Sequence, residues 1–129
     1  MTTTLRKQTA QQWGLDAEAQ ATAFLRKKGY RILAERWRTA GGEIDVLATQ
    51  DNETVAVIEV KARQKRDDGL WAITPAKQKR LLRAGEAVLA QYEKFTGLAP
   101  LTRLSMRFDV IIITPDQPPL HLLNAWQAE

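Results

Sequence analysis

Val55-Ala56-Val57-Ile58 is a run of four apolar residues that leads directly into Glu59-Val60-Lys61. A strand that is apolar on both faces belongs in the interior of a sheet, covered from both sides. Glu59 and Lys61 are two residues apart, so their side chains leave the strand on the same face. A carboxylate and an ammonium at the end of a buried strand are costly unless they are paired or bind something. This segment therefore asks for a central strand that ends at a polar site.

The rest of the chain supplies what such a strand needs. Residues 9–28 carry Gly14, Ala17, Glu18, Ala21, Phe24, Leu25 and Lys28 at three- and four-residue steps, the stripe of an amphipathic helix, and Gly29 ends it. Residues 30–38 read as a strand, and Thr39-Ala40-Gly41-Gly42 as a turn. In the strand over 43–49, Ile44, Val46 and Ala48 alternate against Glu43, Asp45 and Leu47. Asp51-Asn52-Glu53 is a turn signal before the strand over 54–63. A charged loop over 64–73 contains Gly69 and Trp71. Thr74-Pro75 then reads as an N-cap and first helical residue, opening a helix to about residue 95. Its apolar stripe is Leu81, Leu82, Ala84, Gly85, Val88, Leu89 and Tyr92. After a loop with Gly97 and Pro100 come a hydrophobic strand over 104–114, a break over 115–119 and a short edge strand over 120–125. The order is helix, three strands, helix, strand, with a final strand. It predicts a single α/β domain over residues 1–129, a mixed central sheet flanked by helices.

Composition removes several chemistries. There is no cysteine and only one histidine, His121, so thiolate sites, disulfides, histidine-rich zinc sites and Ser–His triads have little or nothing to work with. An enzyme of this composition runs on carboxylates, lysines and a hard metal ion. The longest aliphatic run, 110–113, cannot span a bilayer, and the N-terminus has no apolar stretch, so a cytoplasmic protein without membrane contact is expected. The formal charge is +4, and residues 61–84 concentrate eight basic residues against two acidic ones. That pattern suits a polyanion partner, although a solvated loop and helix face would give it too.

The hairpin register sharpens the site. If Asp51-Asn52-Glu53 is a three-residue loop, Gln50 faces Thr54 and Asp45 faces Glu59. Opposed β-carbons are about 5 Å apart, so the two carboxylates repel and one pKa rises unless a cation lies between them. Mg²⁺ suits one or two carboxylates, several waters and substrate phosphate oxygens. Lys61 beside them would hold the attacking water and steady developing charge. The alternative is a surface ion-pair cluster of little consequence.

Gly42-Glu43-Ile44-Asp45 followed by Val57-Ile58-Glu59-Val60-Lys61-Ala62-Arg63 resembles the Asp-(x)n-Glu-x-Lys signature of the restriction-endonuclease-like nuclease superfamily. That superfamily's core is also helix, three strands, helix, strand. Residues 14–18, Gly29-Tyr30, residues 77–80 and Arg107-Phe108-Asp109-Val110 extend the likeness to nearly the whole chain. Together they resemble the bacterial YraN family, which is similar to Holliday-junction resolvases. The resemblance implies that Asp45 and Glu59 bind Mg²⁺ or Mn²⁺, with the Val60 carbonyl as a further ligand and Lys61 positioning the nucleophilic water. It implies a role for Glu18 as a glutamate from the first helix that joins the metal site. Glu18 also lies on the helix's apolar stripe, or else snorkels out at its edge. The activity implied is endonucleolytic hydrolysis of DNA, possible substrates being branched or flapped forms, by a homodimer making paired cuts. The rival is a non-catalytic nucleic-acid-binding or partner-recruiting module on the same fold.

Two departures stand out. Ile44 replaces the proline usual before the aspartate, and Arg36-Trp37 stands where an asparagine is expected before Arg38. Arg63, Lys65, Lys77 and Arg80 are the expected nucleic-acid contacts, Lys77 from a helix N-terminus that attracts phosphate. Glu43 is either a site residue or half of a hairpin ion pair. Trp71 either stacks on a base or caps the core. Arg107 and Asp109 read as a structural ion pair, and His121 is assigned no role.

Overall fold

The computed structural model describes residues 10–39, 42–65, 73–91 and 105–126. The expectations on Gly69, Trp71, Tyr92, Phe95, Gly97 and Pro100 lie outside these residues. Within them the elements are α1 (Ala10–Lys27), β1 (Arg31–Thr39), β2 (Gly42–Thr49), β3 (Thr54–Ala62), α2 (Pro75–Ala90), β4 (Ser105–Ile113) and β5 (Leu120–Trp126). The five strands form one mixed sheet in the order β1-β2-β3-β4-β5. β3 and β4 are parallel, joined by the crossover that contains α2, and the other neighbours are antiparallel. This is the α/β arrangement of helix, three strands, helix, strand, with β5 added at the edge.

Each helix covers one face. Ala17, Ala21 and Leu25 of α1, at four-residue steps, pack on Val46, Ala48, Ala56, Ile58, Ile111 and Ile113. Ala84 and Val88 of α2 pack on Leu47, Val55, Val57 and Phe108 from the other side. β3 is therefore apolar on both faces because both are covered, as its sequence requires. Gly85 belongs to the same contact: a Cβ there would collide with the Met106 sulfur.

Local signals explain the boundaries. α1 ends in paired bonds from the Gly29 N–H to the Arg26 carbonyl and the Tyr30 N–H to the Leu25 carbonyl, both 3.0 Å. Gly29 adopts the φ of +89° that this ending requires. α2 begins with the Lys77 N–H donating to Thr74 Oγ1 at 3.2 Å, the expected cap. The β2–β3 turn is held by Asp51 Oδ1, which accepts the N–H groups of Glu53 and Thr54, both at 2.8 Å.

Val46 pairs with Ile58, Leu47 with Val57 and Ala48 with Ala56, the register of a three-residue turn at 51–53. Strict alternation along β2 is corrected at one place. Ile44 joins the α2-side cluster with Leu47, and not the α1 side with Val46 and Ala48. The reason lies at Asp45. Beyond the Val46–Ile58 pair, the Val60 N–H donates to Asp45 Oδ2 at 2.9 Å. A side chain thus takes the place of a backbone rung, and the strand's facing shifts there.

Candidate active site

The open end of the sheet, where β2 gives way at Asp45 and β3 reaches Glu59, is lined by polar groups on an apolar base. A cleft of about 210 Å³ is bounded by Gly42, Glu43, Asp45 and Glu59 from the strands and by Lys77, Arg80 and Leu81 from α2. The apolar residues 55–58 hold Glu59 at the end of a rigid strand, and its side chain is only 4% exposed. Lys61, on the same face, donates to Glu59 Oε1 at 3.1 Å, and Lys77 Nζ lies 2.5 Å from that same oxygen.

The electrostatics follow from this crowding. Burial, then the neighbouring Glu59 carboxylate, pushes Asp45 up to about 7, against the opposing bond from the Val60 N–H and the charge of Lys77. Burial and the hydrogen-bonded Lys77 push Lys61 below the usual lysine value, more than Glu59 holds it up. Burial works against Lys77 as well, but its bonds with Glu59 and Lys61 and the charges of Glu59 and Asp45 raise it. Of the two lysines, Lys77 keeps its proton and Lys61 is the first to give one up.

Glu18 stands apart from this group. It lies beside the buried face of α1, 19% exposed, with its Oε2 3.6 Å from Arg36 Nε. Burial raises its pKa, Arg36 opposes this, and Glu43, Glu35 and Glu59 add to the rise. Among the described residues, no three acidic or histidine side chains converge closely enough to form a metal-holding group. Arg36 itself adopts a φ of +52°, which asparagine tolerates better than arginine does. Glu43 forms the hairpin ion pair, its Oε2 3.4 Å from Arg38 Nε, while also lining the cleft. Lys65 and Arg80 are exposed; Arg63 is half-buried and donates from its guanidinium to the Ala62 carbonyl at 2.7 Å.

A family model described as "Uncharacterised protein family UPF0102" matches residues 17–113. The chain belongs to that family. Among its relatives, a UPF0102 protein of Rhodopseudomonas palustris (strain BisA53) is 45% identical over 115 residues, covering 89% of this chain and 83% of the relative. One of Bradyrhizobium diazoefficiens is 42% identical over the same length, covering 89% and 81%. Glu18, Asp45, Glu59, Lys61, Lys77 and Arg80 all fall within the span matched by the UPF0102 model, whereas His121 lies beyond it.

His121 is the residue the sequence reading undervalued. Its side chain is 2% exposed, and Nε2 lies 2.8 Å from Asp109 Oδ2. Asp109, fully buried, also accepts from Arg107 Nε at 2.9 Å, Arg107 Nη2 at 2.9 Å and the Asn124 N–H at 2.8 Å. Arg107 reaches on to Tyr30 Oη at 2.7 Å. This network ties β4, β5 and the end of α1 together on the face away from α2. The Arg107–Asp109 spacing signals the ion pair, but nothing local in the sequence brings His121 to it. The β4–β5 register does, by pairing Ile111 with His121.

Asp45 and Glu59 at the cleft suit a hard divalent ion. Two oxygen-donor side chains in an open, water-accessible cleft match the way Mg²⁺ binds, through few carboxylates with its remaining positions left to water and phosphate. No histidine or cysteine is at hand for a zinc site.

Proposed function

We propose that the protein is a metal-dependent nuclease-like protein that binds DNA and hydrolyses phosphodiesters. The observation that carries this reading is the pair of half-buried Asp45 and buried Glu59 at the end of the central strands, with Lys61 on the Glu59 carboxylate. Asp45 is held in place by the Val60 N–H, so its second oxygen is free of that bond and oriented by it. Glu59 is fixed by its strand. A bound Mg²⁺ or Mn²⁺ would supply charge neutralisation at the scissile phosphate and activation of water. Lys61, held beside Glu59 at 3.1 Å, is placed to orient a water and steady developing charge. Arg80 and the N-terminus of α2 flank the cleft and favour phosphate. Leu81, buried, is the apolar side chain among the cleft's lining residues.

The test pairs divalent-ion titration with product analysis on duplex, single-stranded, flapped and four-way-junction DNA. Wild type should bind Mg²⁺ or Mn²⁺ and cleave at least one substrate. Asp45→Ala and Glu59→Ala should lose the ion, and Lys61→Ala should keep it while cleaving about 10²-fold more slowly. Ion binding without cleavage would favour a non-catalytic nucleic-acid-binding module. A wild type that binds no divalent ion, even with DNA present, would end the nuclease reading.

A further inference from the structure

Glu59 has a partner that the Asp…Glu-x-Lys spacing does not supply. Lys77 comes from the first turn of α2, on a different element from Asp45, Glu59 and Lys61. Its backbone is fixed by the Thr74 cap and, one turn on, by buried Leu81. Its side chain is long, flexible and 27% exposed, with Nζ at 2.5 Å from Glu59 Oε1. Lys61 approaches the same oxygen from within the strand and is 13% exposed. One carboxylate oxygen thus already carries two ammonium groups, and a divalent ion at that oxygen would meet both charges at contact distance.

We infer that Lys77 is the resident cation of the site, seated on Glu59 where a divalent ion must bind and displaced from it into the cleft, towards substrate phosphate, when the ion arrives. This rests on the metal-site reading above and adds the order of events to it. Lys61 is the less exposed of the two, at 13%, and does not line the cleft. Lys77 can make the exchange, because the cleft it borders opens beside Arg80 and the helix N-terminus, a setting that receives an anion. Without the ion, Lys77 keeps the two acids from facing each other uncompensated. With the ion in place, its charge is released for DNA. Metal binding and phosphate binding are therefore coupled through one side chain.

The experiment is calorimetric titration of the full chain with Mn²⁺, comparing wild type, Lys77→Met and Lys79→Met. Lys79→Met removes an equal charge from an exposed position on the same helix. Lys77→Met should bind Mn²⁺ at least about ten-fold more tightly than wild type, the scale of one close charge pair, and Lys79→Met should not. Lys77→Arg, which keeps a cation on Glu59, should stay near wild type and covers the case in which Lys77→Met folds poorly. In DNA-binding titrations, Lys77→Met should weaken affinity several-fold more when Ca²⁺ is present than without divalent ions, and an equal loss in both conditions would overturn the displacement. Tighter Mn²⁺ binding confined to Lys77→Met supports the displacement, including the case in which only that variant binds the ion. If wild type and Lys77→Met bind Mn²⁺ equally, the displacement is wrong and the metal site stands. If neither binds it, both fall together.

Discussion

Asp45→Asn should make the metal-free protein more stable, and by an amount that depends on pH. Burial and the Glu59 carboxylate raise Asp45 from 3.8 to about 7. The folded state therefore holds a proton that the unfolded chain releases. Stability from this group is fully present below about pH 4 and is lost as pH rises through 7. A shift of about three units at 1.36 kcal/mol each sets a ceiling of about 4 kcal/mol on the penalty above pH 8. Water entering the open cleft lowers what is recovered, so a gain of about 1–3 kcal/mol is expected. Asparagine keeps an oxygen for the Val60 N–H and offers its amide to Glu59, so little native contact is lost. The assay is urea unfolding of both proteins in chelator at pH 4 to 8.5. The advantage of the variant should be near zero at pH 4 and grow to its full value above pH 8. Divalent ions should then narrow it, because they stabilise wild type alone. A variant that is less stable at pH 8.5, or a difference independent of pH, would refute the claim that Asp45 is ionised there at a cost.

Asp109→Ala should cost about 3 kcal/mol or more in urea unfolding at pH 7, because it strands the Arg107 charge and the buried His121. Burial opposes ionisation of Asp109, but the bonds from His121, Arg107 and the Asn124 N–H outweigh it and lower its pKa, so this stability is present above about pH 4 and lost as pH falls further. Arg36→Asn should be neutral or stabilising by up to about 1 kcal/mol in thermal unfolding, since relief at φ +52° offsets a long, half-buried ion pair with Glu18; a clear loss would give that pair more weight. Reversing Arg63, Lys65 and Arg80 to glutamate should abolish DNA binding in salt-dependent titrations without unfolding the chain, and in wild type each phosphate contact should add about 0.9 to the slope of log K against log salt. An unchanged affinity would remove those three residues from the interface.

What could be read from the sequence was whatever depends on near neighbours along the chain. The helix ends at Gly29 and Thr74 are set by residues within one turn of them, and both are where the pattern places them. The β2–β3 register was legible because a three-residue turn and period-two alternation together leave one choice, and the pairing of Val46 with Ile58 is that choice. Ile44 was not legible, because its facing depends on a carboxylate replacing a backbone rung. His121 was not, because an edge strand's register carries no local signal when the connection before it is irregular. For Glu18, helical spacing identifies a side of α1 but cannot say whether Arg36, on another element, takes the carboxylate first.

The pairing of charges around the cleft is uneven in an informative way. Glu43 has Arg38, Glu18 has Arg36, and Glu59 has both Lys61 and Lys77. Asp45, among the described residues, has no ion pair, only the Val60 N–H. A fold selected for stability alone would place a cation beside Asp45 or an apolar residue in its stead, since a half-buried carboxylate without an ion pair costs more than either. Its retention at the end of the most buried strands, beside an open cleft, is the local inconsistency that functional sites leave in an otherwise consistent sequence. Among the described residues Lys77 is the cation whose charge eases Asp45, and the cleft that both border is open on that side.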